Sequence, residues 1–234
     1  MAAPQRRTEF TTPTPLTSGS TLILGFLGGG KRSGEENRPA IQLAERLRAL
    51  EIPAVYVETT AHDRSSQAFK FIEAATRRDA KGRCPVQGCS KIQLLLYGRG
   101  EGGATLLKLA RELNTLGISI ALAVQVDTVG RSDGVIPSNV ARAANLYDAG
   151  AAATSGATRI RAEDPAKTQI LANLMFSDDG KWVDLPEGVS PGPSRGARSA
   201  QFDSDPQVWN RVEDYILDEM RRAGISGVPA PPPH

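Results

Sequence analysis

Leu94-Leu95-Leu96-Tyr97-Gly98-Arg99-Gly100-Glu101-Gly102-Gly103 is the stretch that decides the fold. An apolar run breaks into alternating glycines and passes at once into Ala104-Thr105-Leu106-Leu107-Lys108-Leu109, which has helical spacing. A tight strand-to-helix turn of this kind presents backbone N–H groups and a helix N-terminus at a sheet edge, where ligands bind. Two motifs fit it. Gly98, Gly100 and Gly103 spell the Gly-x-Gly-x-x-Gly dinucleotide fingerprint. The same stretch, Gly98-x-Gly100-x-Gly102, also spells a Gly-x-Ser-x-Gly nucleophile elbow in which Gly100 stands where the serine would be.

Outward from this turn, apolar runs and helical stretches alternate. Residues 21–26 read as a buried strand that runs into Gly28-Gly29-Gly30. Residues 39–50 have helical spacing, 54–57 form a second strand, and 65–80 a second helix. The third strand is 92–97, the next helix 102–116, and the fourth strand 118–126, ending at Asp127. Later strands are expected at 140–147 and 168–176, and a long loop at the Gly/Pro-rich 178–198. Asp205 caps a final helix opened by Pro206, with Val208, Trp209, Val212, Ile216 and Met220 on one stripe. Near-continuous apolar strands separated by helices imply an α/β fold: a mainly parallel central sheet with helices on both faces. Right-handed crossovers then bring Gly28–Gly30, residues 59–63, the elbow and Asp127 to one edge.

Length and composition narrow the class. The 234 residues suit one α/β domain, expected over 19–224, with a disordered Pro/Thr-rich leader at 1–18 and a Pro-rich tail at 225–234. The leader lacks an apolar signal core, and no apolar run approaches the ~20 residues that span a bilayer. Basic residues are scattered and the formal charge is +2, so no nucleic-acid footprint is present. Cys84 and Cys89 flank a short Pro/Gly loop that closes as a disulfide or carries two thiols. With no second Cys/His pair, no metal site is expected. No cofactor is expected, and the compartment stays open.

Gly25 to Arg32 approaches a phosphate-binding loop, but Arg32 occupies the place of the hydroxyl that ligates Mg²⁺. The dinucleotide reading has the right context, with Asp127 ending the next strand, yet the motif falls in the third strand–helix unit, where this fold normally uses its first.

A wider set of residues resembles the α/β-hydrolase superfamily, in particular lipase- and esterase-like serine hydrolases. Val126-Asp127-Thr128-Val129-Gly130, with Asp133-Gly134-Val135-Ile136-Pro137-Ser138-Asn139-Val140, is similar to their acid-bearing segment. Gln201-Phe202-Asp203-Ser204-Asp205-Pro206 looks like the segment after their histidine. The resemblance implies Asp127 as a retained triad acid, Gly100 as a substituted nucleophile position and Ser199 as a substituted histidine position. It also implies an oxyanion pocket near Gly28, Gly29, Glu101 and Gly102. The chain's two histidines are His62 and His234, neither in the expected segment. A pseudo-hydrolase that binds a small molecule or a protein partner is therefore the leading expectation. An active hydrolase with non-standard catalytic residues, and a dinucleotide-binding protein using Gly98, Gly100, Gly103 and Asp127, are the alternatives.

Overall fold

A computed structural model describes residues 10–29, 37–79, 81–86, 88–128, 134–148, 159–176, 182–184, 202 and 205–231. Its central sheet has the order β2-β1-β3-β4-β6-β8-β9. The strands are β1 (Thr21–Leu27), β2 (Val55–Ala61), β3 (Gln93–Arg99), β4 (Ile120–Val126), β6 (Val140–Asp148), β8 (Gln169–Phe176) and β9 (Trp182–Asp184). All neighbours run parallel except β8 and β9. Four helices accompany the sheet: α1 (Arg38–Ala49), α2 (Ser65–Ala75), α3 (Glu101–Thr115) and α4 (Pro206–Arg222).

The alternation of side chains along the strands assigns the helices to faces. Leu22, Leu24, Phe26, Leu94 and Leu96 join Phe71 and Ile72 of α2 and Leu106, Leu109 and Leu113 of α3 in one core. Ile23, Leu95, Tyr97, Val124 and Val126 join Leu43 and Leu47 of α1 and Val208, Trp209 and Ile216 of α4 in the other. Each large apolar side chain so buried contributes about 1.5–3 kcal/mol. Because both faces are covered, the central strands are largely apolar, and all seven residues of β1 are buried. Asp205 caps α4 by accepting a hydrogen bond from the Gln207 N–H at 2.8 Å.

Several expectations from sequence need correction. Residues 10–18 were assigned to a disordered leader, yet they pack on the sheet. Phe10 stacks on Phe71 at 4.1 Å, Leu16 is 2% exposed, and the buried Glu58 carboxylate accepts from the Thr11 and Thr12 backbone N–H groups at 2.8 and 2.7 Å. A Pro/Thr-rich composition hid three anchors. The expected loop at 178–198 contains β9, where Trp182 meets Phe176 edge-on at 5.0 Å. Val135–Ile136 (β5) and Arg161–Ala162 (β7) pair as a separate two-stranded sheet where only loop and turn were expected. Helix α2 ends at Ala75 rather than 80, and β2 extends to Ala61.

Beyond α4, Ile225 and Val228 pack against the second core, while their neighbours are exposed. Cys84 and Cys89 are joined as a disulfide with Cα atoms 4.9 Å apart. Among the described residues, no helix is long and apolar enough to cross a membrane, and no cluster of His, Cys, Asp or Glu is arranged to hold a metal ion.

Candidate functional site

Strand order places the site. The chain adds β2 on one side of β1 and β3 on the other, so the loops leaving β1 and β3 diverge at their carboxyl ends, the position where open α/β sheets form a binding crevice. Gly28 and Gly29 leave β1; Gly100 leaves β3.

Gly100 caps α3 with φ 55° and ψ −124°, a conformation that side chains rarely adopt. Its N–H donates to Val126 O at 2.9 Å, and its carbonyl accepts from the Gly103 N–H at 3.1 Å. The flanking glycines are required by crowding. A Cβ at Gly98 would lie 2.6 Å from Gly102 O, and one at Gly102 would lie 2.3 Å from Phe26 O. A Cβ at Gly103 would meet Thr128 Oγ1 at 2.1 Å. Each glycine thus has a steric reason within the chain. Gly100 itself sits at a tight strand-to-helix turn in a conformation that favours glycine, with a glycine two positions to either side.

The β1 side of the crevice is tied off. The Gly28 N–H donates to Asn37 Oδ1 at 2.8 Å, and Asn37 Nδ2 donates to Gly28 O at 2.8 Å. An N–H held in this way cannot stabilise an oxyanion. Beyond it, Gly29 touches two side chains: a Cβ there would fall 2.0 Å from Glu101 Oε2 and 2.5 Å from His62 Cε1. Glu101 Oε2 and His62 Nε2 are 3.0 Å apart, with side chains 50% and 33% exposed.

His62 opens a single 3-10 turn after β2, and its carbonyl accepts from Thr105 Oγ1 of α3 at 2.9 Å. Sequence reasoning placed this histidine on the right edge but could not foresee its contact with the elbow. That contact depends on β2 and α3 meeting across the sheet. Its Nδ1 is buried without a hydrogen-bond partner.

Asp127 follows β4 at φ 44°, buried, with its N–H donating to Leu146 O at 2.8 Å. Around it the carboxyl ends of the strands are unexpectedly polar. Arg99, Gln125, Thr128, Asn145 and Asp148 are all buried, and Thr128 Oγ1 donates to Gln125 Oε1 at 3.2 Å. Gly98, Gln125, Asn145 and Asn173 lie in register across β3, β4, β6 and β8. The available signal was a polar residue one to three positions before the end of β4, β6 and β8. Ser199, His234 and Gly30 lie outside the described residues, as do Lys31 and Arg32.

Chemically, the crevice offers a carboxylate–imidazole pair, backbone N–H groups at the start of α3 and a buried acid, and Gly100 carries no side chain. A carboxylate at about 4 Å from a developing oxyanion costs roughly 1–4 kcal/mol, depending on local dielectric. That offsets much of the roughly 2.7–4 kcal/mol one oxyanion donor supplies.

No family model matches the sequence, and no curated protein does. Among solved structures, the chain is similar to a cutinase-like protein from Cryptococcus sp., at 11% identity and a TM-score of 0.45 over 89% of this chain and 98% of that one. It is also similar to the NocB thioesterase domain from the nocardicin cluster, at 14% identity and a TM-score of 0.42 over 88% of this chain and 94% of that one. The described fold is an α/β one, a mainly parallel sheet with helices on both faces.

Proposed function

We propose that this chain is a pseudo-hydrolase: an α/β-hydrolase domain that includes the N-terminal segment from Phe10, no longer performs serine ester hydrolysis and uses the crevice to hold a small molecule or a partner. The observation that carries this reading is Gly100, which keeps the elbow backbone at φ 55° with no nucleophile. The engaged Gly28 N–H and the Glu101 carboxylate over Gly29 support it independently. In a serine protease, loss of the triad costs about 10⁶ in kcat and leaves roughly 10³–10⁴ over water, too little for ordinary turnover.

The test is p-nitrophenyl ester hydrolysis over short and medium acyl chains. It compares the parent protein with Asp127→Ala and with Gly100→Ser/Ser199→His. The expected result is no turnover by the parent and a measurable rate in the double substitution, with Asp127 as the acid that orients the restored histidine. Turnover by the parent that disappears in Asp127→Ala would overturn the reading.

One observation favours a second reading. The pairing of His62 with Glu101 at 3.0 Å brings an imidazole and a carboxylate together beside the crevice, and because Nδ1 is buried, the pair must open before Nε2 can activate water. In that case the parent hydrolyses esters and loses the activity in His62→Ala or Glu101→Gln. The dinucleotide alternative predicts thermal stabilisation by NAD(P). The steric reasons for Gly98, Gly102 and Gly103 make such a ligand unnecessary to explain those glycines.

A further inference from the structure

Far from the crevice, at the amino-terminal edge of the sheet, a groove of about 630 Å³ lies between the N-terminal segment and the disulfide loop. Its position follows from two contacts: the Gly19 N–H donates to Lys91 O at 2.8 Å, just ahead of β1 and β3, and the Ser90 N–H to Thr76 O at 3.0 Å. Pro15 and Cys84 line it, with Arg77, Arg78 and Arg83 and a single acid, Asp79. Asp79 is already engaged: Arg83 Nε and Nη2 each lie 2.7 Å from its Oδ2, and the Lys81 and Arg83 N–H groups donate to its Oδ1. Arg83 and Asp79 thus neutralise one another, and two guanidinium charges remain.

Helix capping does not account for those two. Helix α2 closes with a complete Schellman pattern, in which the Arg77 N–H bonds Ala74 O at 3.2 Å and the Arg78 N–H bonds Glu73 O at 3.0 Å. The last carbonyls are satisfied by backbone. Arg78 Nη1 donates to Gly82 O at 2.8 Å, outside the helix, and the Arg77 guanidinium has no partner among the described residues. Arg77 also holds φ 59° at the position where this motif normally uses glycine. A strained backbone that carries a long unpartnered cation into a cavity is an observed outlier of the kind that marks a binding site.

We infer that this groove is a second binding site, independent of the elbow, for a small multiply charged oxyanion held between the Arg77 and Arg78 guanidiniums. Their planar forks match phosphate and carboxylate oxygens in a bidentate manner. The disulfide wall and Pro15 provide apolar surface for the rest of the molecule.

Calorimetric titration of the full chain with inorganic pyrophosphate at low ionic strength tests the site, with citrate as the carboxylate arm. Pyrophosphate or citrate should bind saturably. Affinity should fall about tenfold or more in Arg77→Gly and in Arg78→Gln, the change expected for loss of one charge-assisted contact. Arg77→Gly also separates binding from folding: glycine relieves the left-handed backbone, so its melting temperature should equal or exceed the parent's while binding weakens. No saturable binding of either probe, or equal binding in the parent and Arg77→Gly, overturns the inference.

Discussion

Glu101 Oε2 lies 3.0 Å from His62 Nε2, and the two side chains together occupy the space where a β-carbon on Gly29 would sit. The loop leaving β1, the turn leaving β2 and the first residue of α3 meet at this one point. Crowding at Gly29 comes from the ends of two partly exposed side chains, which can swing aside. Gly29→Ala should therefore cost little, about 1 kcal/mol or less, since an exposed pair of this kind is itself worth about 0–1 kcal/mol. The cost should vanish in a His62→Ala/Glu101→Ala background. A double-mutant cycle by urea denaturation measures the coupling, and additive effects would mean that these groups do not share the space.

Gly102→Ala should behave differently. The added carbon would meet Phe26 O at 2.3 Å, a backbone atom of a fully buried central strand that has nowhere to move. The expected loss is at the upper end of the roughly 1–3 kcal/mol typical of overpacking, or more. A mutant as stable as the parent would show that α3 is not seated against β1 as described.

Tyr97 provides a pH test. It is fully buried, its hydroxyl donates to Ala40 O at 3.0 Å, and burial pushes the phenol well above its ordinary value. The folded chain therefore keeps this proton after the unfolded chain has lost it, near pH 10. Stability from this group is complete below about pH 10 and declines as pH rises further, at up to about 1.4 kcal/mol per pH unit. Tyr97→Phe should remove that part of the slope and cost about 0.5–1.5 kcal/mol at neutral pH for the lost hydrogen bond. Stability measured from pH 8 to 11 in both proteins checks it; identical slopes would contradict the burial.

Leu16 tests the N-terminal segment. It is 2% exposed and joins the core of the α2–α3 face. Leu16→Ala should destabilise by about 2–5 kcal/mol. In a disordered leader the same substitution would be silent, so chemical denaturation distinguishes the two directly.

Period and punctuation in the sequence determined the main architecture. Continuous apolar runs such as 21–27 and 94–97 can be buried only by helices on both faces, and the glycines after each strand mark where the chain leaves the sheet. Gly100 was legible as the residue of a tight strand-to-helix turn because such a turn requires its neighbours two positions away to lack side chains. The shortage of histidines was likewise a sequence fact.

What tertiary structure alone decided were contacts between segments with no shared local signal. The meeting of His62 with Glu101 needs β2 and β3 to flank β1. The capture of the Gly28 N–H by Asn37 needs the chain to return before α1. Phe10 and Leu16 have little helical or strand periodicity, so nothing local marks them as core. Leu16 is buried and Phe10 half-buried because the edge of the sheet beside α2 leaves apolar surface that this segment covers. Local residue patterns encode secondary structure through short-range sterics and burial period. Contacts distant in the chain are fixed by packing the whole sheet, and both the crevice and the cationic groove are made of such contacts.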